Sequence, residues 1–187
     1  MHIARLAART VIGGLFVGHG TQKLFGWFDG PGLQGTAGFM QALELRPAKP
    51  HAVAAGAAET IGGTLLALGL ATPLAASSLI GTMIVAIRKV HLSKGPWVSN
   101  GGYEYNLVLI AAVAALVEAG PGELSLDHLL GIERKGPAWA LAVVGAGAVG
   151  STLIIESAKH RPAPVAEPGG NEAAAPVNLD HATADQP

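Results

Sequence analysis

Residues 51–92 read HAVAAGAAETIGGTLLALGLATPLAASSLIGTMIVAIRKVHL, and this stretch decides the fold class. It holds two apolar runs, residues 51–71 and 74–92, and each is close to the roughly 20 residues that a helix needs to cross a bilayer. Between them, Thr72 and Pro73 predict a tight turn. The stretch is therefore typical of two antiparallel transmembrane helices joined by a short connection.

Three more apolar runs extend the same architecture in both directions, and they cover residues 3–25, 103–119 and 138–155. We predict an all-α, polytopic membrane protein: an antiparallel four-helix transmembrane bundle plus a fifth C-terminal transmembrane helix. The last segment is rich in proline, alanine and glycine, which is typical of a disordered tail. The predicted units are a four-helix membrane domain (1–135), an additional transmembrane helix (136–159) and the tail (160–187).

The link between the first two helices, residues 26–50, is too long for a plain hairpin. Thr36 is placed to cap a short helix that continues to Leu45, and Pro47 would end that helix. We therefore expect a short surface-lying or re-entrant element in this link.

The composition agrees with a membrane protein and excludes several other classes. Of the 187 residues 50% are hydrophobic and 13% are charged, whereas soluble domains carry about 25% charged residues. With 0 cysteines the chain has no disulfide, no thiol redox pair and no thiolate metal site. The net charge of −1 gives no electrostatic footprint for nucleic acid. The 7 histidines form neither a His-x₃-His pair nor an HExxH motif, so no metal site is predicted.

The polar residues of the apolar runs are distributed unevenly between the two ends of the predicted bundle. Side A is the end that holds the N-terminus, the 72–73 turn and the loop 120–137, and side B holds the loops 26–50 and 93–102. Glu59 lies about 12 Å from side B, near the middle of a hydrocarbon core about 30 Å thick. A carboxylate there costs about 2.5–3.5 kcal/mol, so we expect it to face the bundle and to be protonated or paired.

His19 and Lys23 are the expected partners of Glu59, because they are four residues apart and share one face of the first helix. Arg88 and His91 share a face of the third helix in the same way. We predict that one cavity in the side-B half is lined by a ligand-binding set of seven residues: His19, Lys23, Glu59, Arg88, His91, Tyr103 and Glu104.

Ordinary structural roles are open for most of this set. Long basic side chains near helix ends, such as Lys23 and Arg88, commonly reach the membrane interface. His19 could bond to a neighbouring helix, and Glu104 could be a helix-start charge. Glu59 differs from them because it lies too deep for an interfacial role.

Two glycine motifs are predicted to be helix-packing faces. The segment GAGAVG (145–150) matches G-x-G-x-x-G, but no strand precedes it and it lies inside an apolar run. The segment GLFVG (14–18) matches the G-x-x-x-G pattern of closely packed membrane helices. Such glycine-rich faces also allow the chain to form a homo-oligomer.

Five stretches together resemble the DoxX family of small bacterial membrane proteins, in the order found in that family. They cover roughly residues 5–127 and read GLFVGHGTQKLFGWFDGPGLQGTAGFM (14–40), AETIGGTLLALGLA (58–71), VAIRKVHLSKGPW (85–97), GGYEYNLVLI (101–110) and LSLD (124–127). The resemblance implies a four-helix membrane domain in the bacterial plasma membrane. It also implies a link to quinol or thiosulfate:quinone oxidation in membrane oxidoreductase systems.

The family pattern implied by this resemblance falls on His19, Lys23, Glu59, His91 and the segment 102–105. The fifth apolar run and the tail lie outside it.

Three functions stay open from the sequence, and all of them have the lipid bilayer as a partner. The first is a component of a membrane oxidoreductase system with a pocket for a quinone, which requires a redox-protein partner because nothing in the chain carries electrons. The second is a non-catalytic scaffold or accessory subunit in which the buried charges only hold the bundle. The third is a small proton-coupled transporter, since intramembrane charges also mark ion pathways.

Overall fold

The computed structural model describes residues 3–159, and every regular element in that range is helical. The predicted tail lies outside the described residues. The seven α-helices in this range are α1 (Ile3–Phe25), α2 (Gly32–Ala42), α3 (Ala48–Leu68), α4 (Thr72–Ala86), α5 (Glu104–Ala119), α6 (Leu126–Leu129) and α7 (Pro137–Lys159). A π-helical stretch, Ile87–His91, and a 3₁₀ turn, Leu92–Lys94, continue α4, and a second 3₁₀ turn covers Val98–Asn100.

The all-α prediction is confirmed for the described residues, and each of the five predicted spans corresponds to a helix. Three of these helices are long and apolar enough to cross a membrane: Ala48–Leu68, Thr72–Lys94 and Pro137–Ala158. α1 and α5 are not among them; α1 carries three basic residues, and α5 has 16 residues, fewer than the roughly 20 that a span needs. The arrangement as four spans plus one stays a prediction.

The long helices share one hydrophobic core. α1 packs along α3, and α4 lies against α3, α5 and α7. α2 packs against α1 and α3, near the side-B end where the loop that contains it begins. The core draws on every long helix through Phe16, Leu66, Leu79, Val113 and Val143. α7, the last helix of the described residues, is therefore part of the bundle.

Glycines set the close approach of α1 to α3. A Cβ on Gly20 would collide with Thr60 Oγ1 and would lie 2.7 Å from the Gly56 carbonyl oxygen. In contrast, a Cβ on Gly14 or Gly18 would meet nothing within 4 Å. The G-x-x-x-G motif therefore faces away from the described part of the bundle, and its predicted packing face has no partner helix there.

The second glycine motif lies inside α7, as predicted. Gly147 packs against α4, because a Cβ at this position would lie 2.8 Å from Ile80 Cγ2 and 3.0 Å from the Gly81 nitrogen. The G-x-G-x-x-G pattern is therefore part of a helix contact, and it does not form a phosphate loop.

The short helix in the side-B loop differs from its prediction. α2 begins at Gly32, so Thr36 is an interior residue and does not cap it. The Thr36 hydroxyl is 2.7 Å from the Gly32 carbonyl oxygen and 3.1 Å from that of Lys23. A threonine hydroxyl in a helix bonds back to a carbonyl four residues earlier, and here the same group also ties α2 to the end of α1. The helix ends at Ala42, well before Pro47.

Candidate ligand site in the side-B half

A partly buried ion pair joins α1 to α3 in the side-B half of the bundle. Lys23 Nζ lies 2.5 Å from Glu59 Oε2. The Glu59 side chain is 7% exposed and that of Lys23 is 27% exposed. Glu59 is halfway along α3, about 16 Å from Ala48 at the start of that helix. The Lys23 ammonium also donates to the His19 carbonyl oxygen at 3.3 Å.

The ion pair forms part of the wall of a cavity of about 250 Å³, which we call the acid–base cavity. Its polar side chains come from α1, α3, the π-helical stretch and α5, and its remaining wall is largely apolar. The cavity therefore brings donors and proton-accepting groups against an apolar surface. Its lining residues are Leu15, Phe16, His19, Lys23, Glu59, Met83, Ala86, His91, Tyr105, Asn106 and Leu109.

The orientation of the His91 ring is fixed by one hydrogen bond. His91 Nδ1 lies 2.6 Å from the Gly101 carbonyl oxygen. A carbonyl oxygen can only accept, so Nδ1 carries the hydrogen and Nε2 of the neutral ring is left as an acceptor. His91 is the last residue of the π-helical stretch. Such wider turns inside α-helices are frequent at functional sites.

Asn106 provides a buried amide in the same cavity. Its Nδ2 donates to the Met83 sulfur at 3.3 Å. A thioether is a weak acceptor. A ligand oxygen in the cavity would therefore be a better partner for this amide than the sulfur it contacts.

A second cavity, of about 400 Å³, lies between α2, α3, α4 and α7, and we call it the apolar cavity. Lys23, Glu59 and Ala86 line both cavities, so the ion pair and the Ala86 methyl group stand between them. The rest of its wall consists mainly of small and aliphatic side chains: Phe39, Met40, Leu43, Leu45, His51, Ala54, Ala55, Ala58, Leu74, Ser77, Ser78, Gly81, Thr82, Val85, Val90, Ala146, Gly147, Gly150, Ser151 and Ile154.

Four of the seven residues predicted as a ligand-binding set line the acid–base cavity: His19, Lys23, Glu59 and His91. The structure places the other three elsewhere. Arg88 is exposed and donates to Thr152 Oγ1 of α7 at 2.9 Å. The Glu104 carboxylate accepts from the Val98 backbone N–H at 2.8 Å. Tyr103 precedes α5 and lines neither cavity.

The π-helical stretch explains why the side chains of Arg88 and His91 point in different directions. Their shared face was predicted for a regular α-helix, in which residues three apart are neighbours. Ile87–His91 is π-helical, and its wider turn spreads residues three apart further around the axis. His91 then lines the cavity while Arg88 points to α7.

The sequence reasoning missed Asn106 and Tyr105 as cavity residues. Asn106 was visible as the one amide in the apolar run 103–119, and it is buried. Buried polar groups need hydrogen-bond partners, so its presence in an apolar run was a usable signal. Tyr105 belongs to the segment 102–105 that the family resemblance implies, but its place at the cavity depends on where α5 begins.

The sequence reasoning also missed a second charged cluster, near side A. Arg9 and Asp127 are each 1% exposed. Arg9 donates from Nη1 to the Ala67 carbonyl at 3.1 Å and from Nη2 to the Leu124 carbonyl at 2.7 Å. These bonds hold α1 to the end of α3 and to the loop before α6.

Asp127 completes this cluster by capping α4. Its two carboxylate oxygens accept from the backbone N–H groups of Ala71, at 2.7 Å, and Thr72, at 2.9 Å. The Asp127 N–H in turn donates to the Gly69 carbonyl at 2.8 Å. The signal for this cluster was the Asp127 of the LSLD segment, but a sequence cannot show which helix start a distant carboxylate caps.

Comparison with known proteins agrees with the resemblance seen in the sequence. A family model described as DoxX matches residues 4–92. A protein of Bacillus subtilis (strain 168) named "Putative oxidoreductase CatD" is 34% identical over 125 residues, which is 67% of this chain and 85% of that protein. No solved structure matches the chain. The matched residues 4–92 include His19, Lys23, Glu59 and His91.

Proposed function

The chain belongs to the DoxX family, and on that premise we propose that its acid–base cavity binds a quinone-type molecule within a membrane oxidoreductase system. The Lys23–Glu59 ion pair carries the proposal, because it places a buried carboxylate and its cationic partner in the wall of a cavity. Intramembrane ionisable residues are functional-site candidates by default, since burying them is costly. The relative named as an oxidoreductase supports the same reading.

The side chains of the cavity match the needs of a quinone. Its two carbonyl oxygens accept hydrogen bonds, for which the Lys23 ammonium and the Asn106 amide are donors. Its reduction to a quinol takes up two electrons and two protons. Glu59 and His91 Nε2 are the groups that can hold or pass those protons. The apolar remainder of the wall suits the ring.

The proposal includes a location and a partner. Three helices that could span a membrane, together with the family membership, support a multi-pass protein of the bacterial plasma membrane. The electrons would come from a redox-protein partner. The outward-facing Gly14 and Gly18 support the further proposal of a homo-oligomer, since exposed small residues let two membrane helices approach closely.

A structural role for the same ion pair is the competing function. Lys23 and Glu59 join α1 to α3, which is a glycine-lined helix contact. If the pair only holds these helices together, the chain is a scaffold or accessory subunit. The two functions differ in what the loss of Glu59 changes: ligand affinity in one case and stability of the bundle in the other.

Menadione binding to the purified protein in lipid nanodiscs tests the proposal. Menadione reacts with thiols, but the chain has 0 cysteines, so binding is not confused with adduct formation. We expect saturable binding above that of empty nanodiscs. Glu59→Gln should weaken it about tenfold or more, because the neutral side chain no longer holds the Lys23 ammonium at the cavity and the quinone loses a charged hydrogen-bond donor. The matched control is Glu118→Gln, because Glu118 is an exposed carboxylate near side A.

Two results would contradict the quinone proposal. Absence of saturable binding to the native chain would remove it directly. Equal affinity in Glu59→Gln and in the native chain, combined with a lower unfolding temperature of the variant, would favour the scaffold function.

A further inference from the structure

We propose that the apolar cavity holds the hydrocarbon chain of a tailed quinone whose ring lies in the acid–base cavity. The inference rests on the proposed function and adds a specificity to it: the site takes quinones that carry a long chain. It also gives α7 a function, because α7 forms one wall of the apolar cavity.

The chemistry of the cavity wall favours a hydrocarbon chain. Three of its four hydroxyl groups, all but that of Ser78, are already bonded within their own helices: Ser77 Oγ to the Leu74 carbonyl at 3.0 Å, Thr82 Oγ1 to that of Leu79 at 2.8 Å, and Ser151 Oγ to that of Ala148 at 2.8 Å. Each hydroxyl has a single hydrogen to donate. These three groups therefore have no hydrogen left for a polar ligand.

The shape of the cavity also fits a chain. Its wall follows the fourth helix and its π-helical continuation from Leu74 to Val90, a distance of about 24 Å at α-helical rise. A ring alone would occupy a small part of that length. A long alkyl or isoprenoid chain, laid parallel to the fourth helix, would occupy much more of it.

The two cavities are adjacent. Lys23, Glu59 and Ala86 line each of them, and Ala86 has the smallest of these three side chains. A ring that contacts Lys23 and Glu59 from the acid–base cavity lies next to the apolar cavity, and the inference places its substituent there, past the Ala86 methyl group.

Glycines of α7 keep the apolar cavity open. Gly150 lines it, and a Cβ built on Gly150 would meet nothing within 4 Å. A larger side chain at this position would enter the open space without a clash at its Cβ. Gly145 also has no neighbour within 4 Å of a built Cβ, but it does not line the cavity. The two glycines form a matched pair for an experiment.

The apolar cavity would bind the tail through van der Waals contacts and by offering enough space for it. Bilayer lipid is already as apolar as the cavity wall. No hydrophobic gain is expected when a tail leaves lipid for the cavity. A filled cavity instead removes dispersion contacts and obstructs the route that the tail takes from the ring. The effect should therefore appear only with a tailed quinone.

The experiment compares phylloquinone with menadione, which share a 2-methylnaphthoquinone ring and differ in the phytyl chain. The affinity of each quinone is measured for the native chain, Gly150→Leu and Gly145→Leu. All three proteins are in nanodiscs of one lipid composition, so partitioning of the quinone into lipid is the same for each. We expect Gly150→Leu to lower the affinity for phylloquinone about fivefold or more and to leave the affinity for menadione unchanged. Gly145→Leu should change neither affinity, and the unfolding temperatures show whether both variants are folded.

The outcomes separate the tail inference from the proposed function. If Gly150→Leu lowers the affinity for neither quinone, or lowers both affinities equally, the tail inference is overturned. The quinone proposal stands in that case as long as Glu59→Gln still weakens menadione. If the native chain binds neither quinone, both fall. A co-purified phospholipid that is lost from Gly150→Leu, with unchanged phylloquinone affinity, would assign the cavity to a lipid acyl chain and overturn the inference.

Discussion

Two charged clusters lie in opposite halves of the bundle, and their surroundings differ. Arg9 and Asp127, near side A, are each 1% exposed and bond to backbone groups. Lys23 and Glu59, near side B, bond to each other and line two cavities. Both clusters tie helices together, but Lys23 and Glu59 line the two cavities described above, which Arg9 and Asp127 do not.

The difference separates charges used to complete the fold from charges available to a ligand. At side A the carbonyl ends of α3 and the N–H groups at the start of α4 need partners, because backbone groups at helix ends have none within the helix. Arg9 and Asp127 supply them; burial disfavours the charge of Arg9, and the nearby charge of Asp127 opposes that effect. At side B the pair contacts the backbone within α1, from the Lys23 ammonium to the His19 carbonyl oxygen, and neither side chain completes the hydrogen bonds of a helix end.

The largest effect on stability is expected from Asp127→Ala. The substitution leaves the N–H groups of Ala71 and Thr72 buried without an acceptor and removes the compensating charge near Arg9. We expect the free energy of unfolding to fall by about 3 kcal/mol. Reversible unfolding in detergent micelles, followed by circular dichroism, measures it. Glu118→Gln serves as the control, and a loss no larger than that of the control would show that Asp127 does not hold the α3–α4 turn.

A smaller effect on stability is expected from Glu59→Gln. Lys23 is 27% exposed, so it can extend toward the side-B surface once its partner is neutral. We expect a loss of about 1 kcal/mol, measured in the same unfolding experiment. A loss of stability as large as that of Asp127→Ala would show that both clusters are needed to hold the fold. It would favour the scaffold function.

The smallest effect is expected from Arg88→Gln. Arg88 is exposed, and its hydrogen bond goes to Thr152 Oγ1. We expect the stability to change by no more than about 0.5 kcal/mol and menadione affinity to stay the same. Thr152→Val removes the same hydrogen bond from the other side and should behave identically. A clear loss of menadione affinity in Arg88→Gln alone would return Arg88 to the ligand site that the sequence predicted.

The sequence was most informative about which segments are helical. The predicted run 51–71 is the helix Ala48–Leu68, displaced by three residues. The displacement has a local cause: Gly69 adopts a left-handed conformation with φ of 62° and ends α3. Residues 69–71 then form the turn that hydropathy alone assigns to the helix, since they are as apolar as the residues before them.

The candidate site was less accessible to sequence reasoning, because it depends on tertiary geometry. The depth of Glu59 follows from its position in an apolar run, and the facing of His19 and Lys23 follows from helical periodicity. The separation of Arg88 from His91 does not, because nothing in the letters IRKVH marks a π-helical turn. The burial of Arg9 likewise depends on the fold of the loop 120–137 over the end of α1.

The π-helical turn at Ile87–His91 has a consequence for how this chain is aligned with its relatives. Such a turn closes its hydrogen bonds over five residues where a regular helix uses four, so it accommodates one extra residue in a helix of the same length. A relative with an unbroken α-helix here would need a single-position gap. Without that gap, the histidine that faces the cavity would be compared with the wrong position of the relative's helix.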